Sequence, residues 1–121
     1  MAYMEVIPGS GGGGMKKTLL WTNPSPSATF AAQFVSVDLS SYDYVLITMP
    51  VDDLTEELLI PVDGNNHVFG ICTTGGTGLA RVGTVSTTGV NFTGAYKVGG
   101  TTGNNAWCIP QQIYGVKGTI S

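Results

Sequence analysis

The sequence predicts an all-β domain, a jelly-roll-like β-sandwich of about eight short antiparallel strands. Three observations point there. Short apolar or alternating segments recur along the chain, divided by Gly, Asn and Pro turn signals at the spacing of a sandwich or barrel. The composition holds 18 glycines with only 11% charged residues, and the remaining polarity comes largely from Thr, Ser and Asn among β-branched residues that suit a pleated, half-buried surface. Finally, no stretch carries the 3.6-residue apolar spacing of a long amphipathic helix. A chain of 121 residues is one domain on length and buries enough surface to fold without metal or disulfide.

Residues 1–14 stand apart as an N-terminal arm, with the sandwich over 15–121. Ala2-Tyr3-Met4-Glu5-Val6-Ile7-Pro8 reads as a short extended segment, followed by the linker Gly9-Ser10-Gly11-Gly12-Gly13-Gly14, whose ordering costs too much backbone entropy for a packed core. The segment is either a tail or a docking arm in which Met4, Val6 and Ile7 meet a neighbouring sheet edge. Thr18–Thr22 is a first strand, halted at Pro24 and Pro26. Residues 27–32 form a bend or brief helical turn, and Gln33–Leu39 alternates with Val35, Val37 and Leu39 on one face. Asp43–Met49 contains the nearly continuous apolar run Tyr44-Val45-Leu46-Ile47, a central strand ended by Pro50.

The acidic segment around Asp52, Asp53, Glu56 and Glu57 reads as one capped helical turn, with a strand over Leu58–Val62 as the alternative. Asp63-Gly64-Asn65-Asn66 is a tight turn. Strands follow at His67–Thr73, at Leu79–Ser86 (Leu79, Arg81, Gly83 and Val85 on one face) and at Val90–Val98, with a bulge at Gly94. Ala106–Ile109 and Gln112–Lys117 complete the set.

Chemistry is sparse. The net charge is −3, and the five cations are scattered, which excludes the clustered basic footprint of a nucleic-acid binder. No apolar run reaches the length of a membrane span, and no convincing secretory signal is present. Cys72 and Cys108 lie in apolar contexts that favour small buried hydrophobes, with a disulfide between them as the alternative. The sole histidine, His67, has no second ligand pair for zinc, so neither metal nor cofactor is expected. Gly75-Gly76-Thr77-Gly78 lacks the Lys-Ser/Thr ending of a phosphate loop, and no Gly-x-Ser-x-Gly elbow occurs. The four clustered carboxylates suit a solvated loop better than a glycosidase pair. No catalytic residue is assigned. Among aromatic residues, Trp21, Phe92 and Tyr114 suit core filling. Tyr42 and Tyr96 are the candidates for surface binding.

The segments Leu19-Leu20-Trp21-Thr22-Asn23-Pro24-Ser25-Pro26, Phe30-Ala31-Ala32-Gln33, Val37-Asp38-Leu39-Ser40, Tyr42-Asp43-Tyr44-Val45-Leu46-Ile47 and the closing Ile109-Pro110 and Ile113-Tyr114-Gly115-Val116-Lys117 resemble a small protein of tailed bacteriophages and prophages of Gram-positive gut bacteria. The resemblance covers most of residues 18–118, and its motifs are structural. It implies a non-enzymatic virion protein, made in the host cytoplasm and placed in the tail fibre, tip or baseplate; a capsid decoration or head-fibre role is the alternative. It further implies other virion proteins as partners and a homo-oligomer, with a trimer favoured because symmetric oligomers match virion axes. A host-surface glycan is a further expected partner, met by the loops 73–78 and 99–105. From a different class, a carbohydrate-binding module is the competing expectation.

Overall fold

The computed structural model describes residues 15–51, 54–73, 75–100 and 102–118. Among them are nine strands: β1 Lys16–Thr22, β2 Gln33–Ser36, β3 Tyr44–Val51, β4 Leu54–Pro61, β5 Asn66–Cys72, β6 Gly78–Ser86, β7 Gly89–Phe92, β8 Tyr96–Lys97 and β9 Gln112–Lys117. They form two antiparallel sheets, one in the order β1-β9-β3-β4 and the other β2-β7-β6-β5, with β8 beside β6. The all-β sandwich is therefore as the composition and turn spacing predict. Its opening is jelly-roll-like, since β1, β2 and β3 alternate between sheets and β9 returns between β1 and β3. A β3–β4 hairpin and a β5–β6–β7 meander make up the rest.

Alternation along the strands builds the core. On β3, Val45, Ile47 and Met49 are buried and face inward, where they meet Ile60 of β4 and Ile113 of β9, and Val51 is buried at the end of the strand. The facing sheet contributes Val35, Phe69, Leu79, Val85, Val90 and Phe92. Edge-to-face contacts link Trp21 to Phe30 at 6.2 Å, Phe30 to Phe92 at 5.3 Å and Phe92 to Phe69 at 5.4 Å, an arrangement that the aromatic quadrupole favours. Gly83 is required for this, because a Cβ there would stand 2.6 Å from Cε2 of Phe69.

Several elements differ from the sequence expectation. The acidic segment is no helical turn: Leu54–Pro61 pairs in full with β3, from Val51↔Leu54 to Tyr44↔Pro61. A strand at the sheet edge tolerates exposed Glu56 and Glu57, and such charges deter pairing with other chains. Asp52 and Asp53 lie outside the described residues. Pro50 does not end β3. β9 pairs only with Tyr44–Thr48, so the missing N–H of Pro50 is not needed on that side. Gln33–Leu39 is strand only to Ser36, after which Val37 and Leu39 donate to the Thr88 and Thr87 carbonyls of the β6–β7 turn. The strand expected over 90–98 divides into β7 and β8 around Thr93–Ala95, where the Thr93 hydroxyl accepts from Val82 N–H and fills the gap in the ladder.

Residues 106–109 are not a strand. Cys108 has a φ of 50°, and the cause lies beneath it. Arg81, fully buried on β6, donates from Nε to the Cys108 carbonyl (2.9 Å) and from its terminal nitrogens to the carbonyls of Thr93 (2.9 Å), Trp107 (2.9 Å) and Asn105 (3.2 Å). Successive carbonyls of a strand point in opposite directions, so a segment that aims those of Asn105, Trp107 and Cys108 at one guanidinium cannot stay extended. Arg81 also lies 5.1 Å from the Phe30 ring centroid. Burial lowers its pKa, yet a guanidinium stays charged in proteins.

Candidate functional surfaces

The outer face of the β1-β9-β3-β4 sheet is the most distinctive surface. Residues alternating with the core set point there: Lys17 and Leu19 from β1, Tyr114 and Val116 from β9, Tyr44 and Leu46 from β3, Glu57 and Leu59 from β4, placed by the registers Leu19↔Tyr114↔Leu46↔Leu59 and Lys17↔Val116↔Tyr44. A solvated sheet face normally alternates polar-out; here Leu19, Tyr114, Leu46 and Leu59 form an apolar row across all four strands. Leu19 is 49% exposed. A groove of about 250 Å³ crosses the face, lined by Lys16, Lys17, Leu46, Glu57, Leu59 and Val116, with Met15 at its end. Its cations come from β1 and its carboxylate from β4, the two opposite edges. Lys17 Nζ lies 4.5 Å from the Tyr114 ring centroid, a cation–π contact. Thr48 sits on this face, only 5% exposed, and its hydroxyl has no hydrogen-bond partner among the described residues. Tyr114 is thus not core filling. It covers the outer face and donates its hydroxyl to Gln112 Oε1 at 3.0 Å.

A second surface lies where the edges β1 and β2 bound the open side of the sandwich. There a cleft of about 390 Å³ is lined by Trp21, Asn23, Phe30, Gln33, Val35 and Ser36, among others, and none of the described residues lining it is charged. Asn23 fixes its rim: its Nδ2 donates to the Pro110 carbonyl (2.9 Å), and its Oδ1 accepts from Ser25 N–H (2.8 Å). This double use leaves the buried amide satisfied and pins the Pro24–Pro26 turn.

The residues singled out in the sequence fall as follows. Tyr42 lies flat on the β9 backbone, since a Cβ on Gly115 would stand 2.6–2.7 Å from its ring atoms; the ring is half-buried against the core. Tyr96 is half-buried on β8, paired with Ala80 and bridged to Gly103. The two tyrosines sit at opposite ends of β6 and form no joint site. The loops around 73–78 and 99–105 do meet: Val98 N–H donates to the Gly78 carbonyl at 2.9 Å, and exposed Val98 packs on Gly78. Met4, Val6 and Ile7 lie outside the described residues. Cys72 is exposed and Cys108 buried, and both are free thiols, so the disulfide alternative does not hold. Burial raises the Cys108 thiol to about 11. His67 Nε2 donates to Asp63 Oδ1 at 2.8 Å. That hydrogen bond, followed by one from Asn65 N–H, lowers the Asp63 pKa. No group of three or more His, Cys, Asp or Glu side chains positioned to hold a metal ion occurs among the described residues.

Arg81 is the residue whose role the sequence does not disclose. The only signal was its position among core-facing Leu79, Gly83 and Val85, where a charge has to be satisfied by partners the strand itself lacks. No protein-family model, curated protein or solved structure matches the chain.

Proposed function

We propose that the chain is a non-enzymatic structural protein of a tailed-phage virion, in the tail fibre, tip or baseplate region, acting as a homo-oligomeric assembly module. The sequence resemblance supplies the virion context. The supporting structural observation is the apolar row Leu19–Tyr114–Leu46–Leu59 on an outer sheet face. Contiguous apolar surface open to water, most so at Leu19 and in part at Tyr114, Leu46 and Leu59, marks association sites. Rotating a second copy by a half-turn about an axis parallel to the strands lays its β4 edge, with Glu57, over the β1 edge, with Lys17, of the first. Such an isologous contact stacks the two apolar rows on each other and sets edges of opposite charge on the same side of the interface.

Mass spectrometry of particles purified after induction of the encoding phage or prophage tests the reading. The chain is expected in the particle fraction at a fixed ratio to tail proteins, and a Leu59→Lys variant is expected to be depleted from it. Its absence from purified particles would refute the virion role. Glycan contact by the adjoining 73–78 and 99–105 loops is a second reading, favoured by the Val98–Gly78 hydrogen bond that brings them together. Binding to a host cell-wall glycan array, lost when Val98 is changed to Asp, checks it. An array with no signal would remove it.

A further inference from the structure

We propose that the cleft between β1 and β2 is the seat of the chain's own arm, with Tyr3–Ile7 running antiparallel to β1 along the open side of the sandwich. This inference is independent of the virion reading. It starts from the edges. β9 occupies one side of β1 and β7 one side of β2, and the other side of each has no partner strand among the described residues. β2, Gln33-Phe34-Val35-Ser36, has none of the charge, proline or bulge that natural edges use to refuse a further strand. β4, at the far side, carries Glu56, Glu57 and Pro61.

The cleft also suits this particular segment. Its floor is Trp21, Phe30 and Val35, apolar and uncharged. In Tyr3-Met4-Glu5-Val6-Ile7, the period-2 rule puts Met4 and Val6 on one face and Glu5 on the other. Met4 and Val6 can face the floor while Glu5 stays in water.

Reach decides between this chain and a neighbour. Val116 pairs with Lys17, Asp43 N–H donates to the Val116 carbonyl, Val62 N–H donates to the Asp43 carbonyl and Gly64 N–H donates to the Val85 carbonyl. These contacts put the start of β1 and the Ser36 end of β2 at the same end of the sandwich, because Ser36 pairs with Gly89 and Gly89 with Ser86. The separation to be crossed is about the ~10 Å between stacked sheets plus a residue or two of strand. Six Gly/Ser residues, 9–14, have a root-mean-square span of about 12–15 Å. A linker whose span matches the gap gives the highest effective concentration, so the tethered arm outcompetes that of a second copy. Consecutive elements are usually adjacent in space, and here the connection crosses from the edge of one sheet to the edge of the other.

The test uses the full chain with Cys72→Ser, so that no exposed native thiol interferes. Val6→Cys and Ser36→Cys in one molecule are expected to form, under mild oxidation, a disulfide within a protein of monomer mass, because the linker end of the arm and the Ser36 end of β2 lie together. Met4→Cys with Gln33→Cys, the pair at the other end of β2, gives the same product if the arm runs as proposed. Mixing the two single-cysteine proteins is expected to give no excess of the mixed dimer; a predominant mixed dimer would overturn the proposal in favour of a neighbour's arm. Absence of any Val6 cross-link to β2 would overturn it as well. A second readout needs no cysteine. In a Trp107→Phe background, Met4→Asp with Val6→Asp is expected to shift Trp21 emission to the red and increase its quenching by acrylamide. Unchanged emission and quenching would show that the arm does not cover the cleft.

Discussion

Replacing Arg81 by Met tests how the long 98–111 segment is held. Met keeps most of the buried volume and removes only the donors, leaving the carbonyls of Thr93, Asn105, Trp107 and Cys108 without the group that ties them together. No carboxylate pairs with Arg81 among the described residues, so the substitution does not remove a whole ion pair, the case in which apolar replacement is often neutral. It leaves neutral carbonyls without a donor, each costing about 1–3 kcal/mol where it stays buried, so the loss is about 3–5 kcal/mol in all. Four hydrogen bonds at about 1.5–3 kcal/mol each set a higher ceiling, but three of the contacts are partly exposed and water recovers some of that loss. Against a typical total of about 5–15 kcal/mol, the variant loses a large share of its stability. In urea the midpoint falls, and in a thermal melt the drop is about 10–20 °C for a domain of this size. Arg81→Lys keeps the charge but cannot bridge four carbonyls with one ammonium group, so it falls between Met and wild type. A Met variant within about 1 kcal/mol of wild type, at unchanged denaturant slope, would refute the role assigned to Arg81.

Other substitutions probe single features. Thr48→Val removes the unpartnered buried hydroxyl and is expected to raise stability by up to about 1 kcal/mol, read from urea unfolding. Gly115→Ala drives a methyl into the Tyr42 ring and is expected to cost about 1–3 kcal/mol; the companion Tyr42→Ala in the Gly115→Ala background should then cost less than it does alone. Titration with a thiol reagent at pH 8 should modify exposed Cys72 quickly and buried Cys108, whose thiol is raised to about 11, only after unfolding. Asp63 has a folded pKa below its unfolded value because His67 and Asn65 hydrogen-bond to it. Its contribution is therefore full above the unfolded carboxylate pKa of about 3.9 and vanishes as pH falls through the lower folded value. Thermal midpoints of wild type and Asp63→Asn should differ at pH 6 and converge in acid.

What the sequence disclosed follows the reach of local physics. The apolar run Tyr44-Val45-Leu46-Ile47 and the alternation of Leu79–Ser86 became β3 and β6 because their periods match a strand with a buried face. The acidic helical turn failed because capping and dipole preferences amount to a few tenths to about 1 kcal/mol, whereas β4 gains an eight-residue ladder on β3. Ala106–Ile109 has strand composition, but Arg81, 25 or more residues earlier in the chain, sets its conformation, and no local window contains that contact. The apolar outer face was hidden for a related reason. Leu46 and Leu59 read as ordinary members of apolar strands, and only the register between four strands puts them in one row with Leu19 and Tyr114. Cys72, apolar in context yet exposed on β5, shows that neighbours in sequence do not decide which side of a sheet faces water.

Association through that face is best tested by sedimentation equilibrium of the full chain beside a Leu19→Lys, Leu59→Lys double variant. A concentration-dependent oligomer is expected for the wild type. The variant is expected to associate at least about tenfold more weakly, equivalent to about 1.4 kcal/mol, with an unchanged unfolding midpoint when both proteins are monomeric. A wild-type chain that stays monomeric throughout, or a variant that associates as tightly as wild type, would contradict the account.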